Sequence, residues 1–227
     1  MRETRKIKID QELWGKANAE FHFRYGAAMS AWNSLERALY VWFVGITGMP
    51  DNMARAIFYG VRAFNARAEL LEAVIPHATK QTPEQIDFIK RALKKARSYS
   101  QFRNRIAHGE PQLNVIERDG VVTEAHYVIM QGKDLFEQKG VIIGLTDLIN
   151  ACDNFTSLEH CVLDVVPKFK RENGLSLEEC LLRVQSLPSS PNETSDQSLP
   201  THEQQAHTPV RVNKKIFRKS QVPDNRE

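Results

Sequence analysis

Cysteine is scarce in this chain. Cys152, Cys161 and Cys180 show no paired spacing, which argues against a disulfide framework or a zinc-binding ligand set. They read as reduced core residues. Long apolar runs are missing too. The longest, Ala38 to Ile46, falls far short of the ~20 residues a membrane span needs. The start, Met1-Arg-Glu-Thr-Arg-Lys6, lacks the apolar core of a signal peptide, so no membrane association and a cytoplasmic location are expected. Neither sign of charge dominates. The net charge of +3 over 227 residues is too small to argue for nucleic-acid binding by itself. No internal repeat is present. His77, His126 and His160 have no metal-ligand spacing, so neither a metal nor a cofactor is expected. His22, between Phe21 and Phe23, reads as packed on a helix face.

What the chain does have is helical periodicity. A first helix is predicted from about Asp10 to Thr47. Tyr25, Ala28, Trp32, Leu35, Leu39, Trp42 and Ile46 recur at three- and four-residue steps and make one apolar stripe. Gly26 suggests a bend or a close helix contact. A second helix is predicted from Asp51 to Ile75, on the stripe Met53, Ile57, Gly60, Phe64, Ala68, Leu71 and Ile75, ended by Pro76. A third opens at Thr82-Pro-Glu-Gln85, where Thr82 caps, Pro83 suits the first turn and Gln85 completes a capping box. Its stripe is Ile86, Ile89, Leu93 and Ala96, continuing to Ser100 and Arg103. Residues 112–130 are rich in β-branched side chains around Asp119-Gly120, a hairpin signal. Neither face alternates cleanly, so an exposed hairpin is expected. A fourth helix follows from Leu145 to about Phe169, with Pro167 near its end. A short fifth opens at Ser176. The domain therefore spans residues 1–185, and the fold class is mainly α, a bundle of four to five helices with a small hairpin inserted after the third.

The third helix ends in Phe102-Arg-Asn-Arg-Ile-Ala-His-Gly109. A planar cation, an amide and an imidazole, the group that titrates near neutral pH, lie within six residues. Phosphodiester chemistry can use that set without a metal. Asn104 and His108 are four apart and share a helix face. Arg103 and His108 are five apart, about 140° around the axis, and converge only if the helix frays at its end. Gly109 suits such an end, because glycine accepts the positive φ of a C-terminal cap. His108 is then expected to be the cap.

Arg103-Asn104-Arg105-Ile106-Ala107-His108-Gly109 resembles the signature of the HEPN superfamily: Arg, often followed by a polar residue such as Asn, then His four to six residues on, closing the third main helix of an up-and-down bundle. The resemblance covers residues 12–170. It implies a metal-independent endoribonuclease of toxin or phage-defence type, cutting RNA by attack of the 2′-hydroxyl in a cleft shared across a homodimer. Carried over residue by residue, Arg103 stabilises charge on the phosphoryl oxygens, Asn104 orients His108 or a phosphate oxygen, and His108 transfers protons. Glu36, on the neighbouring first helix, matches the polar residue that faces such sites and orients Arg103; alternatively it pairs with Tyr40 or solvent. An antitoxin is implied as a partner. In one toxin branch a partner nucleotidyltransferase modifies a Tyr two residues after the His, and Glu110 stands at that position here. The rival reading is a non-catalytic module of the same shape that binds RNA or a partner protein.

Lys94, Lys95, Arg97 and Arg105 either track an RNA backbone or form a solvated face. Arg105 and Arg97 are the candidate RNA contacts. From Ser186 the composition turns to Ser, Pro, Thr, Gln and Asn, too polar to offset the entropy of ordering, so residues 186–227 read as a disordered tail. Within it, residues 211–219 carry Arg211, Lys214, Lys215, Arg218 and Lys219 around Val212, Ile216 and Phe217. That cluster suits nucleic acid or a partner, or is simply solvated.

Overall fold

The computed structural model describes residues 9–118, 121–130, 142–166 and 174–190. It is mainly helical. Helix α1 spans Gln11–Thr47 and, at 1.5 Å per residue, is about 55 Å long. Asp10 caps it, its Oδ1 accepting from the N–H groups of Glu12 and Leu13 at 2.8 and 3.1 Å. Trp32, Leu35, Leu39 and Trp42 of the expected stripe are buried. Gly26 has open space where a Cβ would sit, so it marks no close contact.

The single helix expected over 51–75 is instead two. Helix α2 spans Asp51–Gly60 and α3 spans Phe64–Val74, the latter tightening into a 3-10 turn at Ile75–His77. Gly60 is a poor helix former and β-branched Val61 follows it, while Val61 and Ala63 are extended. Arg67 Nε donates to the freed Val61 carbonyl at 2.7 Å. The break lets α2 bury Ala54 and Phe58 rather than the expected Met53 and Ile57, which are exposed. It also turns Phe64 onto Trp32, edge to face at 4.8 Å.

Helix α4, Pro83–His108, opens with the expected capping box between Thr82 and Gln85. The chain then passes directly into strand β1, Glu110–Arg118, which pairs antiparallel with β2, Val121–Met130. A two-residue strand β3, Ile142–Ile143, adds to β2. The hairpin thus begins before residue 112 and is not merely an exposed appendage. Val115, Val128, Ile129, Met130 and Ile143 are buried, and Ile129 and Ile143 belong to the main core. Tyr127 lies on Phe21 at 5.3 Å and accepts from Trp14 Nε1 at 3.2 Å, which seats the sheet on the start of α1.

Helix α5 spans Leu145–Val165 and α6 spans Leu177–Ser186. Pro167 and Phe169, expected at the end of α5, lie outside the described residues. Two contacts fix the direction of α5 relative to α1. Trp32 meets Phe155 at 5.2 Å and Trp42 Nε1 donates to the Val162 carbonyl at 2.8 Å, so the two helices run parallel. Helix α4 runs against both: Tyr99 meets Phe155 at 5.7 Å, and Gln85 Nε2 reaches the Val165 carbonyl at 3.3 Å. The sheet carries the chain across the end of the bundle where α4 finishes, and α5 starts back from there.

The boundary expected at Ser186 shifts. Residues 187–190 are held on α4: Lys95 Nζ donates to the carbonyls of Leu187 and Pro188 at 2.6 and 3.3 Å, and Tyr99 Oη donates to Pro188 at 3.2 Å. Ser98 Oγ donates to the Ser189 carbonyl. The rest of the expected tail, including the cluster at 211–219, lies outside the described residues.

Candidate functional site

Helix α4 keeps its geometry to the last residue. Gly109 is its C-cap, with φ −77° and ψ 155°, and its N–H donates to the Arg105 carbonyl at 2.9 Å. The expectation of a left-handed glycine with His108 as the cap is therefore overturned: these angles suit any residue. What demands glycine is the sheet. A Cβ on Gly109 would lie 2.1 Å from Ile129 Cγ2, 2.9 Å from the Arg105 carbonyl oxygen and 3.2 Å from that of Met130. The end of α4 and the base of the hairpin are pressed together with no room for a methyl group.

Because His108 stays helical, it remains about 140° from Arg103 around the axis. Arg103 is half-buried and His108 exposed, and within one chain they do not converge. Asn104 is paired with Arg103. It is exposed, lies four residues before His108 on the same face, and its Oδ1 accepts from Arg103 Nη1 at 3.1 Å. The Arg103 guanidinium sits 6.0 Å from the centre of the Trp32 ring, within range of a cation–π contact. Its Nε is buried and has no hydrogen-bond partner among the described residues. A buried unpaired N–H is costly to the fold, and enclosed as it is, this donor is not open to solvent.

Glu36 does not contact Arg103. Its Oε1 accepts from Trp32 Nε1 at 2.9 Å, and its Oε2 from Arg67 Nη1 at 3.0 Å. Neither the orienting role expected for it nor the pairing with Tyr40 is seen. Tyr40 Oη instead donates to Asp51 Oδ1 at 2.5 Å. That hydrogen bond, joined by Arg55, holds the Asp51 carboxyl below its ordinary value; burial, helped by the neighbouring carboxylate, pushes the Tyr40 phenol up. Glu36 thus reaches Arg103 only through Trp32, whose indole it pins. A buried indole N–H needs an acceptor, and Glu36 lies one helical turn after Trp32, so that pair was open to sequence reasoning. Arg67 carried no such signal.

The candidate RNA contacts divide. Arg97 Nη2 pairs with Glu72 Oε2 at 2.9 Å, which makes it part of the contact between α3 and α4. Lys95 is committed to the chain after α6. Arg105 is half-buried one turn before Gly109, and it lies about 200° around α4 from Arg103, on the opposite side of the helix.

Among the described residues, no group of three or more His, Cys, Asp and Glu is placed to hold a metal ion, and no helix is long and apolar enough to cross a membrane. A cavity of about 410 Å³ lies at the other end of the bundle, lined by residues including Tyr40, Val44, Met49, Asp51 and Gln81. Its wall at Gln81 is about 30 Å from Arg103 along α4, so it belongs to no site built on the motif. No family model, curated protein or solved structure matches the chain.

Proposed function

We propose that this protein is a metal-independent endoribonuclease of the HEPN type, acting as a homodimer on RNA in the cytoplasm. The observation that carries the reading is the Arg103–Asn104 hydrogen bond, with Asn104 on the face of His108 near the end of α4. An anionic phosphoryl oxygen is the acceptor that a half-buried guanidinium suits.

The reaction needs no external nucleophile, because RNA carries its own 2′-hydroxyl. Its oxygen attacks the adjacent phosphorus and its proton passes to an imidazole. The 5′-oxygen leaves and takes a proton from a second imidazole, giving a 2′,3′-cyclic phosphate and a 5′-hydroxyl. Arg103 stabilises the charge that gathers on the phosphoryl oxygens. Since Arg103 and His108 diverge in one chain, a two-fold arrangement of α4 ends supplies the missing group, His108 of the partner subunit. Two-fold dimers are also the commonest closed assembly. An antitoxin is the partner that the resemblance adds; Glu110 in place of the modified Tyr argues against control by a nucleotidyltransferase.

One observation favours a second reading, a binding module without catalysis: Glu36, the residue expected to orient Arg103, is bound to Arg67 instead. RNA cleavage in EDTA separates the two. Wild type yields cyclic-phosphate products, at a rate per mole that falls on dilution below the dimer range. His108→Ala lowers the rate about 10²–10⁴-fold. Its stability stays within about 0.5 kcal/mol of wild type, because the side chain is exposed. RNA binding without cleavage by folded wild-type dimer selects the binding module.

A further inference from the structure

The cavity far from the motif has the makings of a second site. The end of α1, its connection to α2, the turn before α4 and the end of α5 leave about 410 Å³ between them, a size typical of small-molecule sites. At about 30 Å³ for a water-sized group, that is room for roughly a dozen heavy atoms.

The floor of the cavity is apolar. Trp42 and Val166 are buried, and Val41, Val44 and Met49 are half-buried around them. An apolar body that displaces water from such walls gains by the hydrophobic effect. The polar atoms near it are mostly committed already. The Trp42 indole N–H donates to the Val162 carbonyl at 2.8 Å. At the end of α1, the Val44 carbonyl is taken by the Gly48 N–H at 2.9 Å and the Gly45 carbonyl by Gln81 Nε2 at 3.3 Å.

Two charged side chains line the cavity, and they are not equivalent. The Asp51 carboxylate is shared out: Tyr40 Oη donates to one oxygen, and Arg55 pairs with the other at 3.3 Å. Lys80 is exposed and has no ion-pair or hydrogen-bond partner among the described residues. The rim therefore keeps one uncompensated positive charge. A single lysine matches a monoanion, whereas a phosphate dianion calls for more than one cation or a nest of backbone N–H groups.

We propose that this cavity binds a small apolar carboxylate, with its hydrocarbon body against Val41, Val44 and Met49 and its carboxylate on Lys80. The cavity wall at Gln81 lies about 30 Å from Arg103 along α4, so the proposal stands apart from the endoribonuclease reading and does not depend on it.

The test is calorimetric titration of the full chain with octanoate, octylammonium and 1-octanol, each kept below the concentration at which it forms aggregates. Octanoate should bind saturably at one site and more tightly than the other two. Each methylene buried contributes about 4-fold in affinity, so hexanoate should bind about 15-fold more weakly than octanoate. In NMR spectra the Trp42 indole N–H signal should shift with octanoate, while those of Trp14 and Trp32 stay in place. Lys80→Gln should weaken octanoate about 2–5-fold, the range of an exposed ion pair, and leave 1-octanol unchanged. Two variants fill the space. Gly45 lines the cavity and a Cβ there meets nothing within 4 Å, so Gly45→Leu should fold and obstruct it; Val44→Phe fills it from the floor. Loss of octanoate binding in either variant, with the circular dichroism of wild type, supports the site. No saturable octanoate binding, or binding that leaves the Trp42 signal unmoved, overturns it. So does wild-type affinity in both folded filling variants. Octanoate affinity unchanged by Lys80→Gln, or octylammonium bound more tightly than octanoate, overturns the carboxylate assignment.

Discussion

Replacing Gly109 with alanine tests the junction on which the candidate site depends. Two effects oppose each other. Alanine restricts the unfolded chain and fits φ −77°, ψ 155° without strain, a gain of about 0.4–1 kcal/mol. Against this, its Cβ would lie 2.1 Å from Ile129 Cγ2, where carbon atoms rest at about 3.5–4.0 Å. Ile129 has little freedom to withdraw: it is β-branched and sits in the middle strand, opposite Pro111 on one side and Ile143 on the other. The Arg105 carbonyl, 2.9 Å from the same Cβ, is backbone and cannot rotate away. Overpacking of this kind costs about 1–3 kcal/mol, so a net loss of roughly 1–2 kcal/mol is expected in urea denaturation. The decisive form is a double-mutant cycle. Ile129→Ala is itself destabilising by about 2–5 kcal/mol, but it deletes Cγ2. Gly109→Ala should then cost at least about 1 kcal/mol less in that background, while the clash with the Arg105 carbonyl persists. If the two changes add within about 0.5 kcal/mol, the close-approach account of Gly109 is wrong.

Three further outcomes are expected. Arg67→Ala should cost about 3 kcal/mol, because it strands Glu36, and both side chains of this pair are only 14% and 16% exposed. Glu36→Gln should cost less, since its amide oxygen still accepts from Trp32; a loss under about 1 kcal/mol for Arg67→Ala in urea denaturation would mean that water screens the pair. The Tyr40–Asp51 contact should leave its mark on stability against pH. The Asp51 carboxyl is lowered in the folded state, so its contribution is present above the unfolded carboxyl value and is lost as pH falls through the folded one. Tyr40 is raised, so its contribution is present below the ordinary phenol value and is lost as pH rises through the folded one. Tyr40→Phe should flatten both limbs of the profile, and unchanged limbs would discount the hydrogen bond. Lys95→Ala should expose the segment 187–190 to limited proteolysis while the helical signal in circular dichroism holds; resistance equal to wild type would show that Ser98 and Tyr99 suffice to hold it.

The helices were legible where local chemistry dictates them. Asp10, Thr82 and Ser176 cap their helices as their side chains require, and the stripe through Trp32, Leu35 and Leu39 is buried. The hairpin announced itself in its β-branched residues and Asp-Gly turn. Its burial did not, because it depends on contacts between distant parts of the chain, Ile129 against Gly109 and Tyr127 on Phe21. The break after Gly60 was hidden for a related reason. The heptad-like spacing from Met53 to Ile75 continues through it and masks the local signal of Gly60 and Val61, while the Arg67–Val61 contact and the packing of Phe64 on Trp32 favour ending one helix and starting another.

The Arg103-Asn104-His108 motif was visible in the sequence, as was its place at the end of α4, since both follow from residue identity and a 3.6-residue period. What those residues touch was decided in three dimensions. Arg103 over Trp32, Glu36 claimed by Arg67, Arg97 claimed by Glu72, and the segment after α6 drawn beside the motif are all contacts between distant parts of the chain. Local sequence sets which atoms a helix presents and on which face. Which partner wins each of those atoms depends on how close the competing groups are brought by packing, and that is settled only when the helices come together.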